Sequence, residues 1–165
     1  MTSAGPGLCG SGSAVLAMPP GSGERVFPAR PEQVGAARRF VARLLAGTPV
    51  ADDAVLCVSE LAGNCVSHSV SGCAGGAFTV QVERHDGDYV WLEVADEGGL
   101  WRPSAPDGRV HGLEIVRRLA SESGVAGSMF TGWEAWARLD WPGTGPAAGV
   151  RSCTAAPLPV PPAAR

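Results

Sequence analysis

Two hydrophobic periods alternate along the middle of the chain. Over residues 31–44 apolar positions recur every three or four residues (Val34, Ala37, Phe40, Val41, Leu44), which predicts a helix opened by Pro31 and stopped by Gly47. A second helix is predicted from near Asp52 to His68, capped by Asp52 or Asp53, with Leu56, Leu61, Cys65 and the neighbouring valines as its apolar side. The period then drops to two. Phe78, Val80 and Val82 alternate with Thr79, Gln81 and Glu83, and Val90, Leu92 and Val94 repeat the pattern after an Asp86-Gly87 turn. Residues 112–123 read as a third helix with Leu113, Ile115, Val116 and Leu119 as its apolar set and Gly124 as its end. A last strand pair is predicted over 125–130 and 133–141, turning at Thr131-Gly132, and a short edge strand over 25–28. This order predicts an α+β two-layer sandwich, a mixed and mostly antiparallel sheet covered on one face by helices.

Composition narrows the possibilities. A chain of 165 residues, 45% hydrophobic and 18% charged, has enough apolar surface for one core. Its net charge of −3 leaves no basic footprint for nucleic acid and no polybasic patch for a membrane surface, and no run is apolar enough to span a bilayer. All 13 basic residues are arginine. Without lysine, a phosphate-binding P-loop, an ordinary protein-kinase fold and Schiff-base chemistry are all excluded. The five cysteines are odd in number and form no C-x-x-C pair, so they are expected to be reduced and mostly buried, as in a cytoplasmic protein. Cys65 and His68 lack the third group that a thiol nucleophile or a metal site requires. Residues 1–24 and 142–165, rich in Gly, Ser, Ala and Pro, are expected to be disordered tails around a domain over 25–141, and the first is no signal peptide. The G-x-G-x-x-G string at residues 5–10 has no strand before it and follows from glycine content alone.

Three short stretches hold candidate chemistry. At about 100° per residue, Glu60, Asn64 and His68 fall along one stripe of the second helix, so that a carboxylate, a carboxamide and an imidazole share an edge; a plain solvated face has the same spacing. Asp96 stands where a strand gives way to Glu97-Gly98-Gly99. A carboxylate there would accept a hydrogen bond from the exocyclic amine of adenine and repel the carbonyl of guanine, although a polar strand-end turn has the same composition. Gly112 opens a helix after a flexible loop, a place where backbone N–H groups and the helix dipole receive phosphate.

Taken together, Glu60 and Asn64, Asp96-x-Gly98, and Gly112-Leu113 resemble the N, G1 and G2 boxes of the GHKL ATPase superfamily. The span 26–141 is similar to its small stand-alone branch, the anti-sigma-factor serine/threonine kinases of actinobacteria. The resemblance implies a Bergerat-type ATP-binding fold with ATP and Mg²⁺ as cofactors. It implies Asn64 as the Mg²⁺ ligand, Glu60 as general base, and Asp96 as the reader of adenine. Gly98 would give the ring room, Gly112 and Leu113 would lie against the phosphates, residues 100–110 would form a lid, and His111 would touch a phosphate. Where the family often has G-x-G at the end of the lid, this chain reads Val110-His111-Gly112.

The function implied is an ATP-dependent serine/threonine kinase. It would phosphorylate an antagonist protein of the anti-anti-sigma type and hold a sigma factor by partner switching, as a homodimer in the cytoplasm and without touching nucleic acid. Two alternatives stay open at this point: a nucleotide-dependent binding module without phosphoryl transfer, and a plain ATPase. The tryptophans Trp101, Trp133 and Trp136 fit either a core or a partner surface.

Overall fold

A computed structural model of the chain describes residues 20–68, 75–98 and 112–143. The elements run β1 (Gly23–Pro28), α1 (Pro31–Leu44), α2 (Ala51–His68), β2 (Ala77–His85), β3 (Tyr89–Asp96), α3 (Gly112–Leu119), β4 (Glu122–Ser128) and β5 (Gly132–Asp140). The strands form one sheet in the order β1-β2-β3-β5-β4, and every pairing is antiparallel. The result is an α+β two-layer fold. Since β5 pairs antiparallel with both β3 and β4, the last two run in the same direction, and α3 lies on the connection between them. A helix on such a crossover starts at the end of the sheet where the first strand stops.

Alternation along β2 and β3 puts Phe78, Val80, Val82, Val90, Leu92 and Val94 on the helix-facing side, where each is fully buried. From the helices come Ala37 and Val41 of α1, Ala54, Cys57, Val58, Leu61 and Ala62 of α2, and Val116 of α3. Phe27 closes one end of this core, stacked on Phe78 at 5.5 Å and edge-on to Phe40 at 5.9 Å between ring centres. Among the described residues no helix is long and apolar enough to cross a membrane.

Several boundaries differ from the sequence reading. Helix α2 begins at Ala51, so Asp52 and Asp53 lie in its first turn and act on the helix dipole, not as caps. Its buried positions are 54, 57, 58, 61, 62 and 65. Leu56 points away from that stripe and is exposed, and Cys57 and Val58 take the place expected for it. Helix α3 ends at Leu119, one turn early, because the Ser121 N–H bonds the Arg138 carbonyl and pulls the chain into β4. Gly124, expected to stop a helix, lies within that strand. A Cβ there would come within 2.7 Å of the Trp136 indole, so its bare backbone makes room for the ring. Trp136 stacks on Trp91 at 4.5 Å on the face of the sheet opposite the helices and is no part of the core. Trp101 and the segments expected to be tails, apart from the residues nearest the domain, lie outside the described residues.

The β4–β5 turn is the most constrained backbone near the end of β3. Gly132 has φ +99°, and a Cβ on it would overlap the Asp96 carbonyl oxygen. Gly132→Ala is expected to cost roughly 1–3 kcal/mol from backbone strain alone. Urea unfolding should show it as a lower midpoint with an unchanged slope; a midpoint equal to that of the wild type would mean the turn relaxes freely.

Candidate nucleotide site

The C-terminal half of α2 is the axis of the site. One helical turn separates Glu60 from Asn64, and Cys65 follows directly, turned by about 100°. Cys65 is therefore turned into the core and buried, while Asn64 beside it is half-buried. Glu60 and Asn64 are half-buried, and among the described residues neither side chain has a hydrogen-bond or ion-pair partner. A carboxylate and a carboxamide placed this way remain free for a ligand.

Asp96 is the last member of the inward-facing series 90, 92, 94, 96, which brings a carboxylate to the helix layer where the strand ends. Its Oδ1 accepts hydrogen bonds from the Gly98 N–H at 2.7 Å and the Trp133 N–H at 3.1 Å. The buried Cys65 of α2 lies close enough to the same carboxylate for its charge to act on the thiol. Two places in the chain thus hold one acid: the end of its own strand and the start of β5. Charge-assisted bonds of this kind are each worth about 1.5–3 kcal/mol, enough to hold the carboxylate in one orientation.

Gly98 is buried with φ +91°, and a Cβ on it would sit 2.8 Å from the Met129 carbonyl oxygen in the β4–β5 turn. Its conformation and packing both require glycine. Gly112, the first residue of α3, packs against Glu60; a Cβ there would lie 2.7 Å from Glu60 Oε2 and 3.2 Å from Glu60 Cβ. The carboxylate of Glu60 and the N-terminal end of α3 are thereby adjacent. Leu113 is partly buried and packs against the core, which anchors the first turn of α3. His111 and the expected lid over 100–110 lie outside the described residues, and so does the side chain of His68.

Of the residues singled out in the sequence, Glu60 and Gly112 are in contact. Asp96 and Gly98 are bonded to each other, and Asn64 lies one turn along α2 from Glu60. A family model described as a histidine kinase-like ATPase domain matches residues 27–127. The chain belongs to this family. It is an ATP-binding domain of the GHKL superfamily, and the match runs from the last two residues of β1 through most of β4, so that it includes Glu60, Asn64, Asp96, Gly98 and Gly112 and stops short of β5. A comparison with curated proteins finds no match.

The residues present fit ATP with Mg²⁺. Asp96 presents a carboxylate fixed by backbone donors, and Asn64 offers an unengaged carboxamide oxygen of the hard type that Mg²⁺ takes alongside phosphate and water. Gly112 at the start of α3 leaves the helix end bare of side chain. Among the described residues no group of three or more His, Cys, Asp or Glu side chains is placed to hold a metal ion.

Three features of the site went unread in the sequence: the Cys65 thiol beside Asp96, the Trp133 N–H on the same carboxylate, and the Gly132 backbone against the Asp96 carbonyl. The position of Cys65 directly after Asn64 was the one available signal for the first. The other two depend on a hairpin more than thirty residues away.

Burial holds both described thiols in the protonated form. Desolvation, with the charges of Asp53 and Glu60 nearby, pushes Cys57 up from its ordinary 9.0 to about 12. Desolvation followed by the Asp96 charge pushes Cys65 up from 9.0 to about 12. A raised thiol pKa in the folded state adds stability below the unfolded value, and that contribution is lost as pH climbs from about 9 toward 12. Pulse alkylation of the native protein at pH 8 should leave Cys57 and Cys65 unlabelled, and mass spectrometry after unfolding should find both reactive. Labelling of either in the native state at that pH would contradict the burial.

Proposed function

We propose that the protein is a regulatory kinase that transfers the γ-phosphate of Mg·ATP to a serine of an antagonist protein of the anti-anti-sigma type. When that antagonist is phosphorylated, the protein holds a sigma factor. The ATP-binding domain follows from the family; the partner and the serine acceptor rest on the resemblance of the whole 26–141 span to the small stand-alone anti-sigma branch.

The observation that best supports transfer is the contact between Glu60 and Gly112. It puts a carboxylate with no other described partner at the helix end suited to phosphate, where a general base for an incoming hydroxyl has to be. In this reading Asp96 orients the adenine, and Asn64 contributes one oxygen to Mg²⁺, whose charge offsets that building on the transferring group. Glu60 accepts the proton of the partner serine, and Gly112 and Leu113 keep Glu60 and the start of α3 together. Val110, where the related motif often has glycine, favours a second reading in which Mg·ATP governs partner binding and no phosphate is transferred.

The test is incubation of the full chain with γ-labelled Mg·ATP and a set of anti-anti-sigma-type proteins. Phosphoserine on one of them, located by mass spectrometry, supports the kinase reading. A nucleotide-dependent complex in which no label reaches the partner supports the second. Failure of Mg·ATP to bind would remove both.

A further inference from the structure

The Trp91–Trp136 stack takes no part in the core or in the nucleotide site. It stands on the face of the sheet that the helices leave open, with ring centres 4.5 Å apart and planes 14° from parallel. Gly124, paired with Trp136 in the register, gives up a side chain in the middle of β4 to seat that indole. Glu93 pairs with Trp136 on its other side, and Glu134 lies two residues before it on the same face. Neither carboxylate has a hydrogen bond or ion pair among the described residues, and both indoles stay partly exposed.

The neighbouring part of the same face shows what such a set holds. There the Arg138 guanidinium lies over the Tyr89 ring, 4.1 Å from its centre, and its Nε–H donates to Asp140 Oδ1 at 2.7 Å. Ring, cation and carboxylate complete one another. Around the two tryptophans the rings and the carboxylates recur without a cation. Among the described residues Arg138 is the one arginine that strand alternation puts on this face, and it is already engaged.

We propose that this face docks a basic segment of a partner protein, with an arginine of that segment on the Trp91–Trp136 stack and Glu93 and Glu134 as its counter-charges. A planar guanidinium suits an indole flanked by carboxylates better than a compact ammonium does. A second copy of the chain, placed there about a two-fold axis, sets the acidic groups against their own equivalents, and an apolar partner leaves Glu93 without water or a counter-charge. The surface is separate from the nucleotide site, which lies on the helix side of the sheet.

The test is an NMR titration of the ¹⁵N-labelled full chain with an octapeptide of alternating glycine and arginine, beside its lysine counterpart, read on the indole N–H signals. The Trp91 and Trp136 signals should shift while those of Trp133 and Trp141 stay, and the arginine peptide should bind more tightly than the lysine one. Trp136→Ala, followed on Trp91, should raise the dissociation constant by about two- to thirtyfold, the range of a cation over an indole. Glu93→Gln combined with Glu134→Gln keeps both indoles and should weaken binding too; it carries the test should the alanine variant not fold. Failure of the wild type to bind either peptide, or equal binding by the wild type and a folded variant, would overturn the proposal. A sedimentation coefficient that rises with protein concentration in the wild type and not in Trp136→Ala would also overturn it, by giving the face to a second copy.

Discussion

Glu60→Gln should reduce phosphorylation of the partner serine by roughly a hundred- to ten-thousandfold, the usual contribution of a positioned general base, with Mg·ATP affinity nearly unchanged. The substitution is chosen because glutamine has the shape of glutamate. Gly112 leaves no space for anything larger beside the side chain, since even a methyl group on its backbone would come within 2.7 Å of Glu60 Oε2. An isosteric amide keeps that packing and removes the basic lone pair. The measurement is single-turnover transfer beside equilibrium nucleotide binding on the same preparation. Parallel loss of transfer and of ATP binding would sink the assignment, because it would show Glu60 acting on the nucleotide itself and not on the incoming hydroxyl.

Asp96→Ala should abolish the stabilisation that Mg·ATP gives the wild type. At about a hundred times its dissociation constant a ligand adds roughly 2.7 kcal/mol, which for a domain of this size is on the order of ten degrees in melting temperature. The variant should show two separable effects. Without nucleotide its melting temperature should already be lower, because the Gly98 and Trp133 N–H groups lose their acceptor at the junction of β3 and β5. With Mg·ATP it should not rise, whereas the wild type rises with ATP and little with GTP. A variant that still gains the full ten degrees would show that the base is read elsewhere.

Gly112→Ala probes the same region from the other side. Its expected steric conflict is with Glu60, so it belongs with transfer and not with reading of the base. The two ends of the site therefore have distinct signatures, one at Asp96 and one at Gly112, with α2 as their common support.

Much of the fold was legible because its elements are strongly periodic. The alternation in β2 and β3 and the apolar stripe of α1 each correspond to a buried face, and Asp86-Gly87 turns the hairpin with Gly87 at φ +77°. The errors fell where local preference competes with pairing. Residues 120–124 continue a plausible helix, but the backbone partner on Arg138 and the indole of Trp136 over Gly124 make them the approach to, and start of, a strand. Leu56 looked like core because leucine is the most apolar residue of its turn; the angle of the helix against the sheet assigns that place to Cys57 and Val58 instead.

By itself the sequence determined which residue types are available and in what order: a carboxylate and a carboxamide one helical turn apart, an acid and a glycine at a strand end, a glycine opening a later helix, and no lysine. Those features follow from local spacing, since a helix or strand fixes the direction of a side chain within a few residues. Only the tertiary structure decided that Glu60 meets Gly112, that Cys65 lies beside Asp96, and that the β4–β5 turn closes on the end of β3. Such contacts join residues some thirty to fifty positions apart, and their geometry is set by how the helices pack on a sheet whose last two strands exchange places. Spacing along the chain holds no record of that exchange.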